Sequence, residues 1–223
     1  MRAVRVATLA AAVLASTSVL AAAPEPFAGP WVGVGMGFRN MTSEITLNDG
    51  TDVNGIGKNN VYGLIQFGSG FNVHSADAGS WNLGPYVFYY PGNVSSTFTV
   101  PKTNASFDNT WKNQWGIGLQ PGYFLTKDNV VYLKVGYNGI TADTSLSNAS
   151  GEVSQSNSFS GFCYGLGMKT QLSNNLLVFV EASQASYSSK TFNWTIGGTS
   201  GSFEVKPKMV NASFGIGYQF EAF

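Results

Sequence analysis

The sequence predicts an all-β fold: an eight-stranded antiparallel up-and-down β-barrel that spans a membrane, after a cleaved signal peptide. Three observations carry this expectation. Period-two alternation recurs in eight segments, each with one face of large apolar side chains and a second face rich in glycine and amides. The connections between those segments alternate short and long, the rhythm of a barrel with tight turns on one side of a membrane and long loops on the other. Beyond the first 23 residues there is no run of about 18 apolar residues, so helices are not the spanning elements.

The amino terminus sets the compartment. Met1 to Arg5 carries two positive charges, Ala7 to Leu20 is largely apolar, and Val19-Leu20-Ala21 and Ala21-Ala22-Ala23 offer small residues for cleavage. This is the pattern of a secretory signal peptide. Residues 1–21 are read as signal, with cleavage after Ala21 or Ala22 preferred and allowed up to Ala23, and residues 22–223 as a single barrel domain.

Strand one places Val32, Val34, Met36 and Phe38 on one face and Trp31, Gly33, Gly35, Gly37 and Arg39 on the other. Strand two sets Val61, Ile65, Phe67 and Phe71 against Tyr62, Gln66, Gly68, Gly70 and Asn72, and strand three sets Trp81, Leu83, Val87 and Tyr89 against Asn82, Gly84, Tyr86, Phe88 and Tyr90. In strand four, WKNQWGIGLQPGYFL, the odd positions from Trp111 to Leu125 are greasy and the even positions from Lys112 to Gly122 are small or polar; Asn113 and Phe124 break the pattern. Strand five alternates Val131, Leu133, Val135 and Tyr137 with Tyr132, Lys134, Gly136 and Asn138. Strand six alternates Phe162, Tyr164, Leu166 and Met168 with Gly161, Cys163, Gly165, Gly167 and Lys169. Strand seven alternates Leu176, Val178, Val180 and Ala182 with Phe179, Glu181 and Ser183. Strand eight alternates Val210, Ala212, Phe214, Ile216, Tyr218 and Phe220 with Asn211, Ser213, Gly215, Gly217 and Gln219. A soluble sandwich would show a Lys, Glu and Thr face where this chain shows glycine, so the apolar face is assigned to lipid and the glycine face to a confined interior. Long polar loops are expected over residues 40–60, 92–110, 141–157 and 191–205, with Ser95 to Thr103 extending strand three or four.

Composition narrows the function. Lys plus Arg and Asp plus Glu number 12 each; without Arg2 and Arg5 the balance is 10 against 12, which gives no field for nucleic acid. One cysteine, Cys163, allows no internal disulfide and, without a neighbouring ligand, no metal site. The glycines of GVGMG, Gly33 to Gly37, lie within a strand and open no helix, so they are not a phosphate loop. His74, the one histidine, sits beside Ser75 and Asp77 in a turn, where the three do not converge on a substrate. No catalytic residue, cofactor or metal ligand is assigned, and an enzyme is not expected.

The opening FAGPWVGVGMGF, the hairpins GYFLTKDNVVYLKVGY and GMKTQLSNNLLVFVEAS, and the closing GIGYQF together resemble the eight-stranded outer-membrane proteins of the OmpA-type or opacity-type superfamily. The resemblance covers essentially all of the mature chain. It implies export across the inner membrane, residence in the outer membrane of a Gram-negative-type cell, contact with outer-membrane lipid and lipopolysaccharide, and insertion by the barrel-assembly machinery. That machinery is expected to read the terminal pattern at Gly215, Tyr218 and Phe220, with Phe223 the competing end and Glu221-Ala222-Phe223 an interfacial tail. Relatives that remodel lipid A carry a catalytic histidine near the outer side of the barrel, and no strand here carries one.

Two charge groups remain. Arg39, Lys112, Lys134, Lys169 and Glu181 fall on the interior face. A turn centred near Asn174 sets Glu181 opposite Gly167 and one diagonal step from Lys169. A unit pair at about 4 Å attracts by roughly 4 kcal/mol at an effective dielectric near 20, and burial costs a comparable amount. The group is read as a plug, with a narrow ion path as the alternative. Lys190, Lys206 and Lys208 are expected on the outward face at the loop end, within reach of lipopolysaccharide phosphates. The predicted function is a structural and surface-interaction scaffold whose four outer loops bind host or envelope ligands; the alternatives are a narrow porin-like channel and, behind it, a lipid A-modifying enzyme.

Overall fold

The computed structural model describes residues 25–47, 52–75, 79–100, 105–149, 151–196 and 198–220. The signal-peptide reading and the tail Glu221 to Phe223 lie outside these residues. Among the described residues there are ten antiparallel strands: β1(Gly29–Leu47), β2(Asp52–Ser75), β3(Gly79–Tyr90), β4(Val94–Val100), β5(Ala105–Thr126), β6(Asn129–Asn148), β7(Gly151–Gln171), β8(Leu176–Tyr187), β9(Lys190–Ile196) and β10(Thr199–Gln219). Eight of them, β1-β2-β3-β5-β6-β7-β8-β10, close into a ring because β1 also pairs with β10, from Trp31 opposite Gln219 to Leu47 opposite Phe203. Closure leaves no free edge along the apolar band, which is what hydrocarbon demands of a sheet.

The two remaining strands explain the long connections. β4 continues β3 after the break at Pro91-Gly92-Asn93 and pairs only with β5, while β9 continues β8 after Ser188-Ser189 and pairs only with β10. Most of each expected loop is therefore strand: β1 and β2 pair as far as Thr46 and Asp52, and β6 and β7 as far as Asn148 and Gly151. The loop expectation failed because Ser, Thr and Asn replace apolar residues on a water-facing strand without changing its period. Beyond the band the ring divides into two four-stranded sheets, β9-β10-β1-β2 and β4-β5-β6-β7. Their inner faces meet through Phe107 on Phe203, with ring centroids 5.6 Å apart, and Phe159 on Phe192, at 6.3 Å. The result is a small sandwich standing on the barrel.

Inward and outward parity follows the sequence on seven of the eight ring strands, as on β10, where every second residue from Val210 to Phe220 is exposed and every intervening one buried. On β5 the parity reverses. Asn113 has φ 55° and forms a bulge, so the register with β6 slips between Lys112 and Trp115. Above the bulge Trp111 is turned in, 4% exposed, and Lys112 is turned out.

The glycine face is filled from across the strand pairs. Trp31 stands directly opposite Gly68, Phe88 opposite Gly116, Tyr132 opposite Gly167 and Phe179 opposite Gly215. In each case a Cβ built on the glycine would lie 2.3 to 2.6 Å from the facing aromatic side chain. Each missing side chain is thus the seat of an aromatic ring.

Candidate functional site

The polar centre of the barrel is built around Glu181 of β8, buried and reached by donors from three other strands. Lys134 Nζ donates to Oε2 at 2.6 Å and Gln66 Nε2 to the same oxygen at 2.9 Å. Tyr132 OH donates to Oε1 at 2.7 Å and Gln120 Nε2 at 3.3 Å. These partners sit on β6, β2 and β5, so the network crosses the lumen. Lys134 also lies 4.8 Å from the Tyr86 ring centroid and 5.0 Å from that of Phe88.

Glu181 does stand opposite Gly167. Its ion-pair partner is Lys134 and not Lys169. The cause is the intervening strand: β7 carries Gly165 opposite Lys134 and Gly167 opposite Glu181, so no side chain obstructs a reach across two strands. Lys169 turns elsewhere, donating to Gln120 Oε1 at 2.6 Å and lying 4.2 Å from the Trp31 ring and 4.8 Å from the Tyr132 ring.

Above this layer Arg39 Nη1 donates to Gln114 Oε1 at 2.9 Å and its guanidinium lies 5.4 Å from the Tyr62 ring. Gln114 Nε2 in turn donates to Tyr187 OH at 3.3 Å. Higher still, the aromatic contacts of Trp111, Phe159, Phe192 and Phe203 fill the space between the two outer sheets. At the opposite end Phe27 seals the floor. It packs on Phe124, Val130 and Tyr132, its N–H donates to Gln219 Oε1 at 3.2 Å, and its carbonyl accepts from Asn82 Nδ2 at 3.2 Å.

Four of the five residues expected inside, Arg39, Lys134, Lys169 and Glu181, are buried there. Lys112 is not: the bulge at Asn113 sends it outward, where it donates to Asp143. Outside the spanning segments, that hydrogen bond from Lys112, with a second from Ser156, holds the Asp143 carboxyl below the ordinary carboxylate range. Gln66, Gln120, Gln114, Tyr132 and Trp31 complete the network and were missed by a reading confined to charges; their inward parity was the available signal.

The three lysines at the loop end do not form one cluster. Lys206 and Lys208 are on the outward face, and Lys208 is paired with Glu44. Lys190 is exposed but stands opposite buried Val205, on the inner parity, because the Ser188-Ser189 break shifts the alternation between Tyr187 and Phe192. His74, expected in a turn, lies instead within β2 opposite Ser80 of β3, because the pairing of the first hairpin runs on to Ser75 and Gly79; it is exposed, with Nδ1 2.8 Å from Ser80 Oγ and Nε2 3.5 Å from Glu25, so it ties the entering segment to that hairpin. Cys163 is buried with its Sγ 3.7 Å from Tyr86 OH. At the closing strand Gly215 faces inward, Tyr218 and Phe220 are exposed and in ring contact at 5.1 Å, and Phe223 lies outside the described residues. Among the described residues there is no group of His, Cys, Asp and Glu arranged to hold a metal ion.

Over residues 8–220 the sequence matches the outer membrane protein beta-barrel domain. No curated protein matches it. Among solved structures it is similar to the outer membrane protein OprG from Pseudomonas aeruginosa, at 15% identity and a TM-score of 0.58, with 89% of this chain and 99% of that one covered. It is similar to the outer membrane protease OmpT from Escherichia coli at 10% identity and a TM-score of 0.50, covering 92% and 100%. Ail, the attachment invasion locus protein of Yersinia pestis, stands at 14% identity and a TM-score of 0.44, covering 86% and 99%. At these identities the likeness is one of fold.

Proposed function

Because the chain belongs to the outer membrane protein beta-barrel domain family, we propose that this outer-membrane barrel works as a closed scaffold that holds a rigid binding surface outside the cell rather than as a channel or an enzyme. The observation that carries the reading is the filled lumen: Phe27 at the floor, the Glu181 network across the middle, Arg39 and Gln114 above it, and the aromatic core at the top. An eight-stranded ring is just wide enough for its own side chains to fill, and here they do. The paired hairpins support the second half of the proposal. A sandwich of two four-stranded sheets displays Ser, Thr and Asn side chains from a fixed backbone, so a ligand meets a preformed surface and little ordering entropy is lost on binding. The partners are a host-surface or envelope molecule at those hairpins and the assembly machinery at the closing strand. OmpT is a protease, but its 10% identity carries no chemistry to this chain, and His74 with Ser80 and Glu25 is engaged in holding the entering segment.

Planar-bilayer recording from the purified protein tests the closed lumen directly. The expected record has no resolved unitary steps. A reproducible unitary conductance that changes in Glu181→Gln would overturn the scaffold reading in favour of a narrow channel.

A further inference from the structure

We propose that the free edge of β4 is a docking site for an extended segment of another polypeptide, which adds to the outer sheet as a further strand beside Val94–Val100. This rests on the binding-surface reading above and gives that surface a ligand class.

Within the apolar band every ring strand has two neighbours, whereas above it β2, β4, β7 and β9 each have one. A strand with one neighbour leaves alternate N–H and C=O groups unpaired along its other side, and folded proteins guard such edges with charges, proline, bulges or a cover. Three of the four are guarded. The free stretch of β2 carries Asp52, Lys58 and two glycines, and that of β7 carries Glu152. β9 is held at both ends: the Ser188 N–H donates to the Ser160 carbonyl at 2.9 Å, and a Cβ built on Gly151 would lie 3.8 Å from Ile196 Cγ2. β4 has none of these devices. Its sequence, VSSTFTV, holds no charge and no proline, and its pairing with β5 runs without a bulge from Val94 opposite Trp111 to Val100 opposite Ala105. At its foot Asn60 Nδ2 donates to the Asn93 carbonyl at 3.4 Å, and among the described residues no ladder joins β4 to β2 above that point.

The chemistry of an open edge selects its occupant, because an extended backbone carries donors and acceptors at the matching spacing. β4 begins beyond the break at Pro91-Gly92-Asn93, above the apolar band, so water and not lipid is displaced. The added strand runs antiparallel to β4, the more stable ladder. A second copy in the same membrane presents its β4 rising in the same direction, which denies it that ladder, so the occupant is a free segment. The two sides of the edge set its side chains. Val94, 2% exposed, belongs to the same buried cluster as Phe203, with Phe107 packed on it, so every second residue of the added strand meets an apolar layer. On the outer side Ser95 and Thr97 are exposed and bonded to Thr110 and Asp108, so the intervening residues meet hydroxyls and water. The ligand is therefore a linear segment alternating apolar and small polar residues, held mainly through its backbone.

The probe is a fluorescent peptide of alternating valine and threonine, about eight residues long. Its anisotropy is measured against purified protein in mild detergent, with binding to empty micelles subtracted. The same peptide N-methylated at every residue keeps its side chains and loses its backbone donors. Wild type should bind the unmodified peptide at least roughly tenfold more tightly than the methylated one, and Ser95→Lys with Thr97→Lys, which sets two charges along the edge, should weaken binding by a similar factor. Amide exchange locates the contact: the β4 amides that point away from β5 should exchange fast in the free protein and slow by roughly tenfold or more with peptide bound. Gel mobility checks folding; if the lysine variant does not fold, the methylated peptide and the exchange map decide on wild type alone. The proposal is overturned by no binding to wild type, by equal binding to a folded lysine variant, by binding that survives methylation, or by protection that falls on another element. It is overturned equally by slow exchange of those amides in the free protein, which would mean that β2 already covers the edge. A conducting barrel would end the closed-lumen reading and leave these results untouched, so the two fail separately.

Discussion

Glu181 lowers the cost of its own burial by collecting four donors from three strands, and a carboxylate so placed is strongly asymmetric in its response to substitution. Removing one charge leaves the other uncompensated in a dry interior, whereas removing both at matched volume spares that charge penalty. Glu181→Gln is therefore expected to lose roughly 3–5 kcal/mol of stability through the orphaned Lys134, and Glu181→Leu with Lys134→Met to recover the part due to that charge while still losing about 1–3 kcal/mol for each donor of Gln66, Gln120 and Tyr132 left unpaired. Urea unfolding of refolded protein followed by gel mobility measures both; equal midpoints for the single and double variants would show that the pair carries no such asymmetry. That these side chains face inward was readable from alternation alone, because Lys134, Lys169, Glu181 and Arg39 each fall on the glycine face of their segments. Their partnership was not readable, since Lys134 crosses Gly165 and Gly167 of β7 to reach Glu181, and only adjacent strands can be compared along a sequence.

One residue in one strand re-aims a whole element. Asn113, at φ 55°, inserts a step into β5, and every side chain beyond it exchanges faces, bringing Trp111 onto Phe159 with ring centroids 5.7 Å apart. Asn was the odd break in an otherwise regular segment and is one of the few residue types that accept a left-handed conformation, so the signal was present as a defect in the period. Asn113→Gly should retain or raise stability by up to about 1 kcal/mol, and Asn113→Val should lower it by about 1–2 kcal/mol, the cost of forcing a β-branched residue into that region. Unfolding midpoints by tryptophan fluorescence check this, and a stabilising Val would mean that the bulge is not held by its backbone conformation. The breaks at Pro91-Gly92-Asn93 and Ser188-Ser189 are of the same kind. Each ends ring pairing for its strand and hands the continuation to a single neighbour, which is how β4 and β9 arise from segments that read as loops.

At the scale of the molecule, the number of ring strands, their order and the membrane-facing stripe were all legible, because lipid imposes one period on every segment and closure imposes one topology. The sandwich was illegible because water imposes neither. A ring in which each strand completes its neighbours should unfold as one unit, since a lost strand exposes two edges. Tryptophan fluorescence and gel mobility should accordingly give coincident urea transitions, and a separate early fluorescence phase would mean that the sandwich, which holds Trp194 and Trp111, melts on its own. The floor has a further consequence for biogenesis. Phe27 and Gln219 are 192 positions apart in sequence, yet the Gln219 side chain accepts from the Phe27 amide and donates to the Ala28 carbonyl. The first and last turns of the barrel are stitched by one side chain that is synthesised 192 residues after its partner. A chain cut short of Gln219 would reach the membrane with its seam unlatched, and so would be distinguishable from a finished one before any ligand is met.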